Sequence, residues 1–267
     1  MEISAGHAVV TGATGGLGQA ISRRLHRDGA RLTLTARRSA ILEPLAAELG
    51  AHVIAADLAD PDSVARLAGL ITDADVLVAN AGLEAADDLV DLSPEAIARI
   101  VSVNLQAPAV LAAAVAPHMA GRGRGHIVFI SSMAGKVATQ GNGPLYTATK
   151  WGLRGLSLAL REELRPRGVG VSTIFPGPIR DAGMFADSGV ELPRSIHSNT
   201  PGEVADAVAS AIARDRAEVD VAAALVRFGG LIGGVAPGFV AATARRQGAD
   251  AVRRSMIAAR KPSAGDA

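Results

Sequence analysis

Cysteine is absent from this 267-residue chain, which excludes disulfides, thiolate metal sites and a cysteine nucleophile together. An excess of one charge is missing as well: 27 Lys and Arg stand against 26 Asp and Glu, a net +1. That balance supplies no reason to expect nucleic acid or an anionic membrane as the main partner. Aromatic residues are scarce, with one Tyr and one Trp, and three of the basic residues are lysine: Lys136, Lys150 and Lys261. The surplus of Arg, Ala and Gly reads as coding bias and says nothing of function, whereas scarcity makes the position of Tyr146 informative. No basic region followed by an apolar signal core opens the sequence, so a reducing cytoplasm is the expected compartment. No metal site is expected.

What is present is core-forming material. The hydrophobic fraction is 49% and the charged fraction 20%, a composition that packs, and the length suits one α/β domain. Short apolar runs at residues 7–12, 31–36, 52–56, 75–79, 126–131, 169–175 and 219–222 alternate with helical patterns at 16–28, 40–49, 61–72, 94–121, 144–165 and 201–214. The runs do not need period-2 alternation and are mostly rich in Val, Ile or Leu, as strands covered on both faces are. Helix starts are marked at Asp60-Pro61, Ser93-Pro94-Glu95 and Thr200-Pro201-Gly202-Glu203, each a cap, then a proline. The alternation predicts a doubly wound parallel β-sheet of the Rossmann type, α/β, in a single domain over residues 1–222. Residues 223–267 are expected to form a C-terminal apolar, helical extension packed on that domain. Within it, 221–243 is apolar, but Arg227 and a series of glycines break any spanning helix. It reads as a last strand followed by an apolar loop and helices, with a hydrophobic lid or a weak membrane contact as the alternative. Residues 260–267 read as a frayed tail.

Two stretches carry chemistry. Thr11-Gly-Ala-Thr-Gly-Gly-Leu-Gly18 runs from the first strand into the first helix, where backbone N–H groups at a helix N-terminus receive a pyrophosphate. Gly12 permits the tight turn, Gly16 the close approach and Gly18 the packing of helix on strand; Thr14, Gly15 and Leu17 complete the cradle. After the second strand, Ala36 stands where a ribose-binding acid would serve NAD. Arg37 and Arg38 follow, and a guanidinium suits the 2′-phosphate of NADP. The second stretch is Tyr146-Thr-Ala-Thr-Lys150. On a helix these two side chains share a face one turn apart. A free phenol has a pKa near 10, and a nearby ammonium should lower it toward a usable acid. Fourteen residues before the tyrosine, Ser132 is suited to hold a carbonyl or alcohol oxygen.

On these residues the chain resembles the short-chain dehydrogenase/reductase family over residues 5–222. The glycine turn matches the family's cofactor turn. Asp57-Leu58 resembles its adenine-contacting pair, and Asn80-Ala81-Gly82 its Asn-Ala-Gly element. Ser132, Tyr146 and Lys150 with Asn104 resemble its catalytic tetrad, and Pro176-Gly177-Pro178-Ile179 its nicotinamide loop. Two positions depart: Asp181 replaces a threonine of that loop, and Gly15 stands where NADP-preferring relatives often carry a basic residue, so the NADP reading rests on Arg37 and Arg38.

The resemblance implies reversible hydride transfer between NADP(H) and a small-molecule carbonyl or secondary alcohol. Tyr146 would be the acid/base, Lys150 its activator and ribose ligand, Ser132 the oxygen holder and Asn104 part of a proton relay. It also implies a homodimer or homotetramer, while the charge balance and the broken apolar stretch argue against a nucleic-acid partner and a transmembrane segment. Residues 179–200, with Met184, Phe185, Val190, Leu192 and Ile196, would form a mobile lid. Gln140, Asn142 and the histidines have no assigned role. An NADP-sensing regulator without turnover and a membrane-peripheral lipid or steroid oxidoreductase are the alternatives.

Overall fold

The computed structural model describes residues 3–84, 87–138, 143–180, 198–233 and 236–246. Seven strands are all parallel: β1 (His7–Thr11), β2 (Arg31–Ala36), β3 (His52–Ala55), β4 (Val76–Ala79), β5 (Gly125–Ile130), β6 (Val169–Pro176) and β7 (Glu218–Val221). Their order across the sheet is β3-β2-β1-β4-β5-β6-β7. The chain therefore builds outward from β1 in one direction and from β4 in the other. The crevice at the carboxyl ends of β1 and β4 is where such sheets take their ligands.

The strands are apolar on consecutive residues because each face meets a different core. In β1, Ala8 and Val10 point to one side and Val9 to the other; in β5, Val128 and Ile130 oppose Ile127 and Phe129. One side is covered by α1 (Gly16–Arg27), α2 (Ser39–Leu49) and α7 (Pro201–Arg214), through Ile21, Leu25, Leu42, Val204, Val208 and Ile212. The other is covered by α3 (Pro61–Leu70), α5 (Ala107–Gly121) and α6 (Pro144–Leu164), through Val64, Leu67, Leu111, Val115, Met119 and Leu153. Each such side chain removed from water is worth roughly 1.5–3 kcal/mol.

The capping signals act as read. Asp60 accepts from the Asp62 N–H at 3.1 Å, Ser93 from Ala96 at 3.2 Å, and Thr200 with Glu203 closes a reciprocal capping box. Residues 94–121 depart from one uniform helix. They form α4 (Pro94–Val101), a π-turn at Ser102–Gln106, then α5. Pro108 has no N–H to give the carbonyl of Asn104 four residues back, and the N–H of Ala107 reaches Ser102 instead, so the helix widens. Among the described residues this helix, Pro94–Gly121, is the one long and apolar enough to cross a membrane, and half of its apolar window is buried in the fold.

After β7 the chain forms α8 (Ala224–Gly233) and α9 (Pro237–Arg246), the helices expected there. Residues 260–267 lie outside the described residues.

Candidate active site

The glycine turn is held against the end of β4. Gly12 has φ +64, and a Cβ on it would lie 2.8 Å from Ala81 Cα. A Cβ on Gly18 would lie 2.3 Å from the Gly12 carbonyl oxygen, so α1 starts against the turn only with glycine there. Thr11 Oγ1 accepts from the N–H groups of Asn80 and Ala81, both at 3.0 Å. Asn80 Nδ2 donates to the carbonyls of Thr11 at 2.9 Å and Gly12 at 3.2 Å. Asn80 thus stitches strand to turn.

At the mouth of that turn Gly15 is the N-cap of α1, extended and without a side-chain cap. The first N–H groups of α1 therefore have no side-chain acceptor, and the dipole end is open to an anion. Thr14, Gly16 and Leu17 are partly exposed beside it. Arg37 and Arg38 are exposed just past β2, with no ion pair among the described residues. Past the neighbouring β3, Asp57 Oδ1 accepts from Ala59 at 3.0 Å, its own N–H donates to Ser63 Oγ at 3.0 Å, and Leu58 is buried. An uncapped helix start, glycines that a Cβ would clash with, and two free guanidiniums fit a phosphorylated dinucleotide.

The second cluster assembles at the ends of β4 and β5. Ser132 follows β5, and its Oγ accepts from the Ala134 N–H at 3.1 Å. Next to it, Ser131 Oγ donates to the Lys150 carbonyl at 3.1 Å, and a Cβ on Gly135 would lie 2.8 Å from that same oxygen. These contacts seat α6 on the turn after β5 and bring Tyr146 to Ser132, which hydrogen-bonds it. Lys150 is buried, donates from Nζ to the Ile130 carbonyl at 3.1 Å, and lies 5.5 Å from the centroid of the Tyr146 ring. Asn104, in the π-turn, is 1% exposed. Its Oδ1 accepts from the Leu83 N–H at 2.7 Å, and its Nδ2 donates to the Leu83 carbonyl at 2.9 Å and to Thr149 Oγ1 at 3.3 Å. A Cβ on Gly82 would stand 3.4 Å from Lys150 Nζ and 3.6 Å from Asn104 Oδ1. Asn104, Ser132, Tyr146 and Lys150 therefore converge from three separate elements.

The lowering of the phenol expected from Lys150 is opposed by the burial of the site itself. Burial pushes Tyr146 up to about 12, and the Ser132 hydrogen bond opposes that only in part. Tyr146 keeps some exposed surface, but its phenolate is poorly solvated all the same. Burial also brings Lys150 down to about 8. Both charged forms are disfavoured by the same low-dielectric site.

The loop after β6 borders this cluster. The Gly177 N–H donates to Val221 at 2.9 Å, a Cβ on it would lie 3.0 Å from Ala222 Cβ, and Ile179 is buried and bridged to Asn199. Pro176 ends β6. Gln140, Asn142, Asp181, Met184, Phe185, Val190, Leu192 and Ile196 lie outside the described residues.

An ionic cluster around buried Lys136, next to the site, was not read from the sequence. Lys136 is 6% exposed. Its Nζ lies 2.6 Å from Asp220, 3.0 Å from Glu218 and 4.1 Å from the centroid of Phe175. Arg154 of α6 reaches Glu218 at 2.6 Å. Burial pushes Glu218 up, but the hydrogen bonds from Arg154 and Lys136 together carry it below the usual carboxylate range. The cluster ties the Ser132 turn to β7. Its signal was the acid-x-acid spacing of Glu218 and Asp220, which puts both on one face of a strand, together with one of three lysines four residues after Ser132.

The short chain dehydrogenase family model matches residues 6–191. Dehydrogenase/reductase SDR family member 7B of Bos taurus is 33% identical over 80% of this chain and 72% of its own length. The ketoacyl reductase HetN of Nostoc sp. is 34% identical, over 80% and 77%. Among solved structures, a metagenomic short-chain oxidoreductase in complex with NADP superposes with a TM-score of 0.68 at 36% identity, covering 84% of this chain and 98% of that one.

Proposed function

This chain belongs to the short chain dehydrogenase family, and from that premise we propose that it is an NADP(H)-dependent oxidoreductase interconverting a small-molecule carbonyl and a secondary alcohol. The observation that carries the reading is the convergence of Ser132, Tyr146, Lys150 and Asn104 beside an uncapped, glycine-lined helix start. A sensor of the cofactor would need the second of these features but not the first.

When bound, the nicotinamide supplies or accepts the hydride. In reduction, Ser132 Oγ donates a hydrogen bond to the carbonyl oxygen and fixes its position. The Tyr146 hydroxyl, protonated far above neutral pH, gives its proton to the same oxygen as it becomes an alkoxide. The Lys150 ammonium presents its donors to a ribose, and Asn104 holds the Leu83 backbone and the Gly82 approach in register for it. In the alcohol-to-carbonyl direction Tyr146 must first lose its proton, so that direction gains with rising pH. Gly12, Thr14, Gly15, Gly16, Leu17 and Gly18 would hold the pyrophosphate, Arg37 and Arg38 the 2′-phosphate, Asp57 and Leu58 the adenine, and Gly177 and Ile179 the nicotinamide. NADP is supported by the two free guanidiniums and by the NADP complex of a 36%-identical neighbour. Exposed Val110, Trp151 and Leu158 on α5 and α6 support a homodimer or homotetramer.

The test is turnover of a ketone panel with NADPH and NADH, together with Tyr146→Phe. Cofactor fluorescence should show the variant still binding NADPH while kcat falls by roughly 10²–10⁴-fold. A variant as active as the parent would refute the assignment of the acid.

A further inference from the structure

Helix α8 is built inside out. Gly230 and Gly233, three residues apart, are its buried face: a Cβ on Gly230 would lie 2.9 Å from Met133 Cε, and one on Gly233 would lie 3.0 Å from the Lys136 carbonyl oxygen. The opposite stripe carries the large apolar side chains. Leu225 is 70% exposed, Phe228 59% and Leu231 73%, and Phe239 on α9 is 69% exposed. A surface helix of a water-soluble fold puts its large apolar residues inward; here glycines face inward and Leu and Phe face out.

Charge follows the same division. Residues 223–267 carry seven Arg and Lys against two Asp, a net +5, whereas residues 1–222 carry 20 against 24, a net −4. The near-zero net charge of the whole chain conceals this split. Within the two described helices the charged residues are Arg227, Arg245 and Arg246, all basic, and Arg227 and Arg246 are exposed. Large exposed apolar side chains beside a cationic segment make the pattern of a helix lying in a membrane interface, where apolar groups enter the acyl boundary and basic groups meet anionic headgroups. A second copy docked face to face would bring two helix pairs that carry only Arg227, Arg245 and Arg246 as charged residues against each other, which Coulomb repulsion opposes.

We propose that the outer face of α8, with Phe239 of α9, docks this protein on an anionic lipid surface. Because the inner face of α8 rests on Met133 and Lys136, docking sets the turn that carries Ser132 directly behind the bound helix. The binding does not rest on the proposed chemistry and is measured without it.

The experiment is co-sedimentation of the full-length protein with vesicles of phosphatidylcholine, alone or with about one-third phosphatidylglycerol. Partitioning should be at least about tenfold stronger to the mixed vesicles and should fall as salt rises from 0.1 to 0.5 M, as a cationic segment requires. The variant Leu225→Ser/Phe228→Ser/Leu231→Ser should lose about a hundredfold or more in partitioning, with its circular dichroism and NADPH titration unchanged. Protein left in the supernatant with both vesicle types overturns the proposal. So does equal binding to both at all salt concentrations. If the triple variant instead turns a dimer into a monomer by light scattering, a second copy covers this face. Should the variant misfold, the lipid and salt dependence of the parent protein decides alone.

Discussion

Glycines bring a helix close to the body at both ends of this chain, with opposite results. At α1, Gly18 presses the helix start on the Gly12 carbonyl, and the outer surface is polar: Arg23 pairs with Glu48 at 2.7 Å, Arg24 with Asp206 of α7, and His26 and Arg27 face solvent. At α8, Gly230 and Gly233 do the seating, and the outer surface is Leu225, Phe228 and Leu231. Glycine settles only how near a helix comes; what stands on the far side sets the kind of partner it meets.

The neighbours of those glycines separate the two regions further. Around Gly18 the two nearest are backbone atoms, the Gly12 oxygen at 2.3 Å and Ala13 Cα at 2.7 Å. Gly18→Ala should therefore force the turn open, lose NADPH binding by cofactor fluorescence and destabilise the fold by about 3 kcal/mol. Retained NADPH affinity would mean that the turn yields more easily than its contacts imply.

Between the two regions, β5 carries a pH-sensitive group. His126 is 1% exposed and hydrogen-bonds Ser172 at 2.8 Å. Burial lowers it from 6.5 to about 4. The unfolded chain therefore takes up the proton first as pH falls. Stability present above 6.5 is lost between 6.5 and about 4, to the extent of about 3 kcal/mol. Urea melts of His126→Asn across that range should show a shallower pH slope than the parent, and parallel slopes would refute the argument.

Nearer α8, Lys136→Met keeps the stem under Gly230 but removes the ammonium from Glu218 and Asp220. These carboxylates are only partly buried, so the expected loss is about 2 kcal/mol, below that of a fully enclosed pair. Thermal melts at pH 7 check it, and an unchanged Tm would show that solvent screens the cluster. The smallest effect belongs to Gly230→Ala. Its nearest neighbour is the flexible end of Met133, which can move, so the change should be about 1 kcal/mol or less. A loss as large as that of Gly18→Ala would erase the distinction between the two ends.

Much of this was legible in the sequence because it depends on neighbours along the chain. The Thr200–Glu203 capping box and the bounds of α7 follow from local hydrogen bonding, and β1, β4 and β5 announced themselves as unbroken apolar runs because both their faces are covered. The cofactor turn and the Tyr146–Lys150 spacing are likewise local. The π-turn at Asn104 was not read, although Pro108 marks it, because a proline just inside a helix more often signals a start. The pairing of Lys136 with Asp220 joins residues 84 apart, and no local pattern specifies which strand edge a loop lysine will meet.

Periodicity, caps and glycine spacing thus determined the elements, their parallel sheet and the residues brought to its carboxyl edge, since each rests on interactions within a few residues or on burial from both faces. The tertiary structure alone decided how those residues behave. Enclosure of Tyr146 and Lys150 in one low-dielectric site moves both away from their charged forms, and the seating of α8 through its glycines turns its large apolar side chains outward. Both are consequences of which surfaces end up excluded from water, and that is known only once distant segments have packed.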